Sequence, residues 1–281
     1  MWIKVIDSSA ISRGISVFFR YRDPFMDMLN SHCGVVSDSR GVVRLTICNA
    51  GSLNILGSPA IDDLRGALQK LATDIDIRLL VLAGESEKSL IGGADIKEMS
   101  ALDQVSAEAF ITRLADLCEA VRAFPVPVIA RMPGWCLGGG LEVAAACDIR
   151  IAAHDARFGM PEVRVGIPSV IHAALLPRLI GWGRTRWFLL TAETIDAPTA
   201  LAWGLVDAVA PHGGLDAAVE HTVASLLACG PAALRAQKAL LRQWEDLPLK
   251  EAVDLSIGVF GRSFLTDEPK RLMQGFIDRK R

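Results

Sequence analysis

Trp135-Cys136-Leu137-Gly138-Gly139-Gly140-Leu141-Glu142 sets three consecutive glycines between a short apolar segment and an apolar helix start, with a carboxylate in the first helical turn. Gly159-Met160-Pro161-Glu162 then supplies a second carboxylate. Glycine lets backbone N–H groups approach a ligand closely, and the first N–H groups of a helix have no internal acceptor. Such donors stabilise an oxygen that gains negative charge during a reaction, and two nearby carboxyl groups can move the protons. The combination points to enolate chemistry. Close packing alone is the other reading of such a run. The spacing is not that of a dinucleotide fingerprint, and the Lys and Ser/Thr of a P-loop are missing.

Working outward, the helix opened by the glycines is expected to run through Ala146. Apolar strands flank it at Val126-Pro127-Val128-Ile129-Ala130 and Asp148-Ile149-Arg150-Ile151-Ala152. Upstream, 104–123 reads as a helix with Phe110, Leu114, Leu117 and Val121 on one face, and 78–84 as a buried strand. The segment 60–71 shows helical spacing through Ile61, Leu64, Leu68 and Leu71, and regular structure is expected to begin with a strand at 42–47. Alternating strands and helices imply an α/β fold with parallel strands joined by right-handed crossovers. Beyond residue 170 the pattern is mostly helical, with helices expected near 172–180, 184–191, 197–203, 214–228, 231–244, 248–264 and from 267 to the end. Residues 1–33 read as an extension of unassigned role, 34–211 as the core, and 212–281 as a helical C-terminal region. No linker, repeat or low-complexity tract separates them.

Gly92-Gly93-Ala94-Asp95 is a second small-residue turn following a strand-and-loop unit. Alone it is a turn with an Asp cap. Paired with the first, across adjacent parallel strands, each turn could offer one backbone N–H to the same oxygen. The bland readings are a favourable charge at a helix start for Glu142, a salt bridge to Arg164 or Arg178 for Glu162, and a satisfied structural group for His172.

The 281 residues are 51% hydrophobic and 22% charged, enough for a full core, and the formal net charge of −2 carries no basic nucleic-acid footprint. No run of 18 apolar residues is present, so no membrane span is expected. The six cysteines (33, 48, 118, 136, 147 and 229) form no CxxC pair or metal-ligand spacing. They read as reduced thiols, which points to a cytoplasmic or organelle-matrix setting. The N-terminus, with Asp7, Asp23 and Asp27 among arginines and no clean apolar region, is a poor signal or transit peptide.

The constellation resembles the crotonase superfamily, the enoyl-CoA hydratase/isomerase proteins, over roughly residues 34–281. The resemblance is carried by Ile91-Gly92-Gly93-Ala94-Asp95-Ile96-Lys97-Glu98-Met99, by Leu137 to Glu142, and by Cys147-Asp148-Ile149-Arg150-Ile151. Phe158 to Glu162, Leu176-Pro177-Arg178-Leu179-Ile180-Gly181 and Ala202-Trp203-Gly204-Leu205-Val206-Asp207 complete it. It implies a crotonase-like ββα spiral core with a helical C-terminal trimerisation region, a homotrimer or dimer of trimers, and an acyl-CoA thioester substrate of fatty acid metabolism. CoA would arrive as part of the substrate, with no metal or separate cofactor.

By the same resemblance, the backbone N–H groups of Ala94 and Gly139 form an oxyanion hole, and Glu142 and Glu162 match the two hydratase glutamates. Isomerases of the family commonly keep one, so hydration is favoured. Glu142 would take a proton from water attacking Cβ, and Glu162 would deliver a proton to Cα. Ser52, Leu53, Gly92, Asp95 and Ile96 match stretches lining the CoA channel, and Phe264, Phe276 and Lys280 match a tail that often covers CoA from a neighbouring subunit. Isomerisation, thioester hydrolysis and C–C cleavage on the same scaffold, or a silent binding protein, stay open as alternatives.

The chain departs from the family after the second glutamate. Many hydratases carry a glycine-rich stretch ending in Thr-Gln-Arg, where this chain has Ile167-Pro168-Ser169-Val170-Ile171-His172-Ala173-Ala174. Val170, Ile171 and His172 imply a bulkier wall beside the acyl pocket. A short or branched acyl group would suit it, or one with a polar end that His172 could meet.

Overall fold

The computed structural model describes residues 26–278, so most of the expected extension, residues 1–25, and Lys280 lie outside the described residues. Two short strands, β1 (Asp27–Met28) and β2 (Cys33–Ser37), form an antiparallel pair, and β2 pairs antiparallel with β3 (Val42–Ile47). Regular structure therefore begins before Val42, partly inside the segment read as an extension. The pattern Cys-Gly-Val-Val-Ser of β2 has no apolar alternation, so period alone could not mark it.

The chain then repeats the unit strand, strand, helix. After β3 come β4 (Ile55–Leu56) and α1 (Ser58–Leu71). After β5 (Leu79–Gly84) come β6 (Ser89–Ile91), β7 (Gly93–Ala94), α2 (Ile96–Met99) and α3 (Gln104–Arg122). After β8 (Val128–Met132) come β9 (Trp135–Leu137) and α4 (Gly139–Ala146). After β10 (Ile149–Ala153) come β11 (Arg157–Gly159), two 3-10 turns (Glu162–Val165 and Ile171–Leu175) and α5 (Leu176–Thr191). The chain closes with β12 (Thr194–Asp196), α6 (Ala197–Trp203), β13 (Ala208–Ala210), α7 (Leu215–Leu227), α8 (Pro231–Trp244), α9 (Leu249–Ser263) and α10 (Glu268–Asp278).

The first strand of each unit enters a large sheet of order β1-β2-β3-β5-β8-β10-β13, parallel from β3 onward. Second strands build a smaller sheet, β12-β11-β9-β6, beside the separate pair β4-β7. This is the ββα spiral of the crotonase fold. β3, β5 and β8 are buried along their whole length, which is why they read as near-continuous apolar runs. The second strands are only two or three residues long, too short to show a period.

One face of the large sheet packs Leu45, Ile47, Leu80 and Leu82 against Leu64 and Leu68 of α1 and Leu114, Leu117 and Val121 of α3. The other face packs Leu79, Val81, Ile129 and Ile151 against Leu215, Val219 and Val223 of α7. The helical region from residue 212 thus begins with a helix that covers the core sheet. It is tied there by Lys238 of α8, whose Nζ donates to Asp148 Oδ2 at 2.6 Å and to the Val126 carbonyl at 3.0 Å. The helices expected at 172–180 and 184–191 are one 3-10 turn followed by α5, kinked at Gly181 where φ is 79°. All six cysteines are free thiols, five of them buried. Among the described residues no single helix is long and apolar enough to cross a membrane.

Candidate active site

Three parallel strands of the small sheet end side by side. Ile91 of β6 is in register with Cys136 of β9, and Cys136 with Phe158 of β11. The residues that follow each strand therefore emerge at one edge: Gly92-Gly93-Ala94, Gly138-Gly139 and Pro161-Glu162. They line a common cavity of about 370 Å³ together with Glu142. The two small-residue turns do face each other across adjacent parallel strands, and the two glutamates, distant in sequence, meet because β9 and β11 are neighbours.

Each end of the glycine run has its own reason. Gly138 has φ +50°, a left-handed conformation, and a Cβ there would collide with Glu162 Oε1. A Cβ on Gly140 would collide with the Ile91 carbonyl of β6, so this glycine permits close packing of α4 on the small sheet. Gly139 is the first residue of α4, and an N–H at that position has no acceptor within its own helix. The packing reading is met at Gly140, while Gly139 keeps an N–H that its own helix does not use.

Glu142 is 4% exposed. Its Oε1 accepts the Ala173 backbone N–H at 2.8 Å. Burial pushes its carboxyl up to about 8; the Ala173 N–H opposes this, and the nearby Glu162 charge adds to it. Glu162 Oε2 accepts from the Ser169 hydroxyl at 2.7 Å. The remaining oxygens both lie near the glycine turn, since a Cβ on Gly139 would be 3.9 Å from Glu142 Oε2 and a Cβ on Gly138 would fall well inside contact distance of Glu162 Oε1. One oxygen of each carboxylate is fixed by a donor, and the other faces the glycine turn. Arg164 faces Glu193 and Arg178 faces Glu245, so neither supplies the salt bridge considered for Glu162.

Of the residues singled out from sequence, Glu142, Glu162, Ala94, Gly139, Gly92 and Ile96 line the cavity. Ser52, Leu53, Asp95 and His172 do not. Leu53 accepts the Gly92 N–H through its carbonyl at 2.7 Å and packs behind that glycine. Ser52 is exposed on the preceding turn. Asp95 caps α2, its carboxylate accepting from the N–H groups of Lys97 and Glu98. His172, expected to meet a polar acyl end, has its Nε2 2.9 Å from Glu119 Oε1 of α3. Of the expected wall only Val170 lines the cavity. Phe264 and Phe276 are exposed at the end of α9 and on α10.

Sequence reasoning missed the opposite wall. Met99, Leu102, Phe110, Ile111 and Leu114 line the cavity from α2, α3 and the segment between them. Phe110 and Leu114 were legible as the apolar face of a helix, but a helical period cannot tell a face that meets a core from one that meets a void.

The sequence profile described as enoyl-CoA hydratase/isomerase matches residues 37–281. A short-chain-enoyl-CoA hydratase from Clostridium acetobutylicum is 31% identical over 249 residues, covering 88% of this chain and 95% of the relative. A crotonyl-CoA hydratase from Syntrophomonas wolfei is 33% identical, covering 82% of this chain and 89% of the relative. The crystal structure of an enoyl-CoA hydratase from Mycobacterium smegmatis superposes with a TM-score of 0.85 at 28% identity, over 89% of this chain and 97% of that one. A spiral of ββα units, a cavity at the ends of its short parallel strands and a family match over most of its length establish that the chain belongs to the enoyl-CoA hydratase/isomerase family of the crotonase superfamily.

Proposed function

We propose that this protein is a hydro-lyase that adds water across the 2,3 double bond of an enoyl-CoA. The observation that carries the reading is the convergence of Glu142 Oε2 and Glu162 Oε1 on the Gly138–Gly139 turn, in a cavity that Ala94 also lines. The thioester oxygen would accept the backbone N–H groups of Ala94 and Gly139. As charge develops on that oxygen, preorganised donors lower the barrier, and one such donor is typically worth about 10²–10³ in rate. Glu142 takes a proton from water as its oxygen bonds to Cβ, and Glu162 delivers a proton to Cα. A carboxylate whose affinity for protons is raised by burial is a stronger base, which suits Glu142 to the first step. The donors from Ala173 and Ser169 fix which oxygen of each carboxylate faces the reactants.

A short acyl group fits best. Ile167, Pro168 and Val170 wall the cavity opposite Phe110 and Leu114, and relatives of this chain bear the names short-chain-enoyl-CoA and crotonyl-CoA hydratase. CoA comes with the substrate. Incubation with crotonyl-CoA, following enoyl absorbance and free thiol together, tests the assignment. Loss of absorbance without thiol release is expected; thiol release in step with substrate loss means a hydrolase, and a shifted double bond means an isomerase.

The same proposal includes self-assembly, to a trimer or a dimer of trimers. Trp244, Ile257, Phe260 and Phe264 are exposed apolar side chains on α8 and α9, and Leu272, Met273 and Ile277 extend the surface along α10. Light scattering reads the mass directly. Six unpaired cysteines, five of them buried, suit a reducing compartment such as the cytoplasm.

A further inference from the structure

His172 is buried and lies next to the residue whose N–H holds Glu142, yet it does not line the cavity. The residue before it, Ile171, has φ +38°. A β-branched residue in the left-handed region is a strained arrangement, and such strain persists only where surrounding contacts over-determine it. The strain sits where it matters: the turn Ile171–Leu175 carries the Ala173 N–H, which is shared between the Val170 carbonyl at 2.9 Å and Glu142 Oε1 at 2.8 Å.

Beside the core packing of Ile171 and Ala173, the side-chain bond that ties this turn to α3 is the one from His172 Nε2 to Glu119 Oε1 at 2.9 Å. Nδ1 of the ring is buried and has no partner, so the less costly tautomer has its proton on Nε2, donating to Glu119, with Nδ1 as a bare acceptor. Glu119 is itself fixed. Its Oε2 accepts from Arg242 Nη2 of α8 at 2.8 Å, and Arg122 of its own helix lies 3.6 Å away. Burial disfavours the charge on Glu119, but the His172 bond, Arg122 and Arg242 outweigh it and hold the carboxyl below its usual range. The other charged groups around this cluster are Glu245, within reach of Arg122, Arg178 and Arg242, and Glu142 on the active-site side of the turn.

We propose that His172 is a positioning residue: its bond to Glu119 clasps the strained Ile171–Leu175 turn to α3 and so keeps the Ala173 N–H aimed at Glu142. The clasp also joins the active-site turn to α8, so the helical C-terminal region bears on the geometry of the base.

The role of His172 rests on the hydratase reading for its kinetic readout and not for its spectroscopic one. His172→Ala, His172→Gln and Glu119→Ala are compared with the wild type, by kcat and KM for crotonyl-CoA and by the carbon-13 titration of the Glu142 carboxyl in unliganded protein. Losing a donor to the carboxylate moves its titration to higher pH. His172→Ala and Glu119→Ala are each expected to lower kcat about tenfold or more, with KM within about twofold, as expected for a displaced group that acts in the transition state. Both are expected to move the Glu142 titration upward. His172→Gln, whose amide N–H can reach Glu119, should recover most of kcat and the wild-type titration. Folded Ala variants with an unchanged Glu142 titration overturn the clasp, and so does a Gln variant no better than Ala. If His172→Ala does not fold, Glu119→Ala breaks the same bond from its exposed side, and its Glu142 titration decides between the two outcomes. A wild type that hydrates no enoyl-CoA removes the hydratase reading, while the titration still decides the role of His172.

Discussion

The backbone N–H of Gly138 donates to the carbonyl of Gly159 at 2.9 Å, joining the end of β9 to the end of β11. Glu142 follows Gly138 by one helical turn, and Glu162 follows Gly159 by a proline-containing corner. The strand pairing therefore fixes where both carboxylates start, and the Ala173 N–H and Ser169 hydroxyl fix where they end.

Glu142→Gln and Glu162→Gln each keep the shape of the side chain and remove proton transfer. Such steps typically contribute about 10²–10⁴ in rate. Each variant should lose at least about 100-fold in kcat on crotonyl-CoA with an unchanged circular dichroism spectrum. Full activity in either one sinks the two-glutamate mechanism.

Gly138→Ala puts a methyl well inside contact distance of Glu162 Oε1, at a backbone φ of +50°. The carboxylate must move or the turn must open. A misplacement of about 1 Å can cost about 100-fold, so a fall in kcat/KM of at least about tenfold is expected. A crystal structure of the variant should show the Glu162 carboxylate displaced; wild-type kinetics with the carboxylate unmoved would contradict the geometry.

The raised carboxyl of Glu142 makes stability depend on pH in a sense unusual for an acid. Burial holds it at about 8 in the fold, against an ordinary value of 4.5 for the unfolded chain. Between those values the folded protein keeps a proton that the unfolded chain has released. The contribution is present in full below about pH 4.5 and is lost as pH rises through about 8. Glu142→Gln removes the dependence, so by urea unfolding at pH 9 the variant should be the more stable protein, by on the order of 1–4 kcal/mol, with the gap closing toward pH 4. A gap that stays constant with pH refutes the assignment. In the wild type, kcat/KM for hydration should rise with pH toward about 8 as the base ionises.

Lys238→Ala removes the ammonium that Asp148 and the Val126 carbonyl share, leaving the buried Val126 carbonyl without this donor and Asp148 Oδ2 with the Val128 N–H alone. Losses of that kind cost about 1–3 kcal/mol per group. A lower urea midpoint is expected, with Glu142 and Glu162 untouched and kcat near wild type. An unchanged midpoint would mean that the ammonium adds nothing to the docking of α8.

Much of this was legible one residue at a time. The strands at 42–47 and 79–84 announced themselves because parallel strands buried on both faces must be apolar throughout. Helices α1 and α3 followed from their apolar spacing, α6, α7, α8 and α9 lie close to the ranges expected for them, and Glu142 and Glu162 stood out beside the glycine run and its neighbouring turn. The strands β6, β9 and β11 were invisible because a segment of three residues carries no period, although their register is what builds the site.

The sequence by itself determined the alternation of strand and helix, the location of the glycine turns and the presence of two carboxylates beside them. Those properties are written in side-chain types and their spacing along one segment. Only the tertiary structure decided that the turns after β6 and β9 share a cavity with Glu162, that Phe110 and Leu114 wall it, and that His172 bonds to Glu119. Each of these depends on which strands become neighbours and on which way a strained turn is pulled, and such choices are settled by packing between segments far apart in the chain.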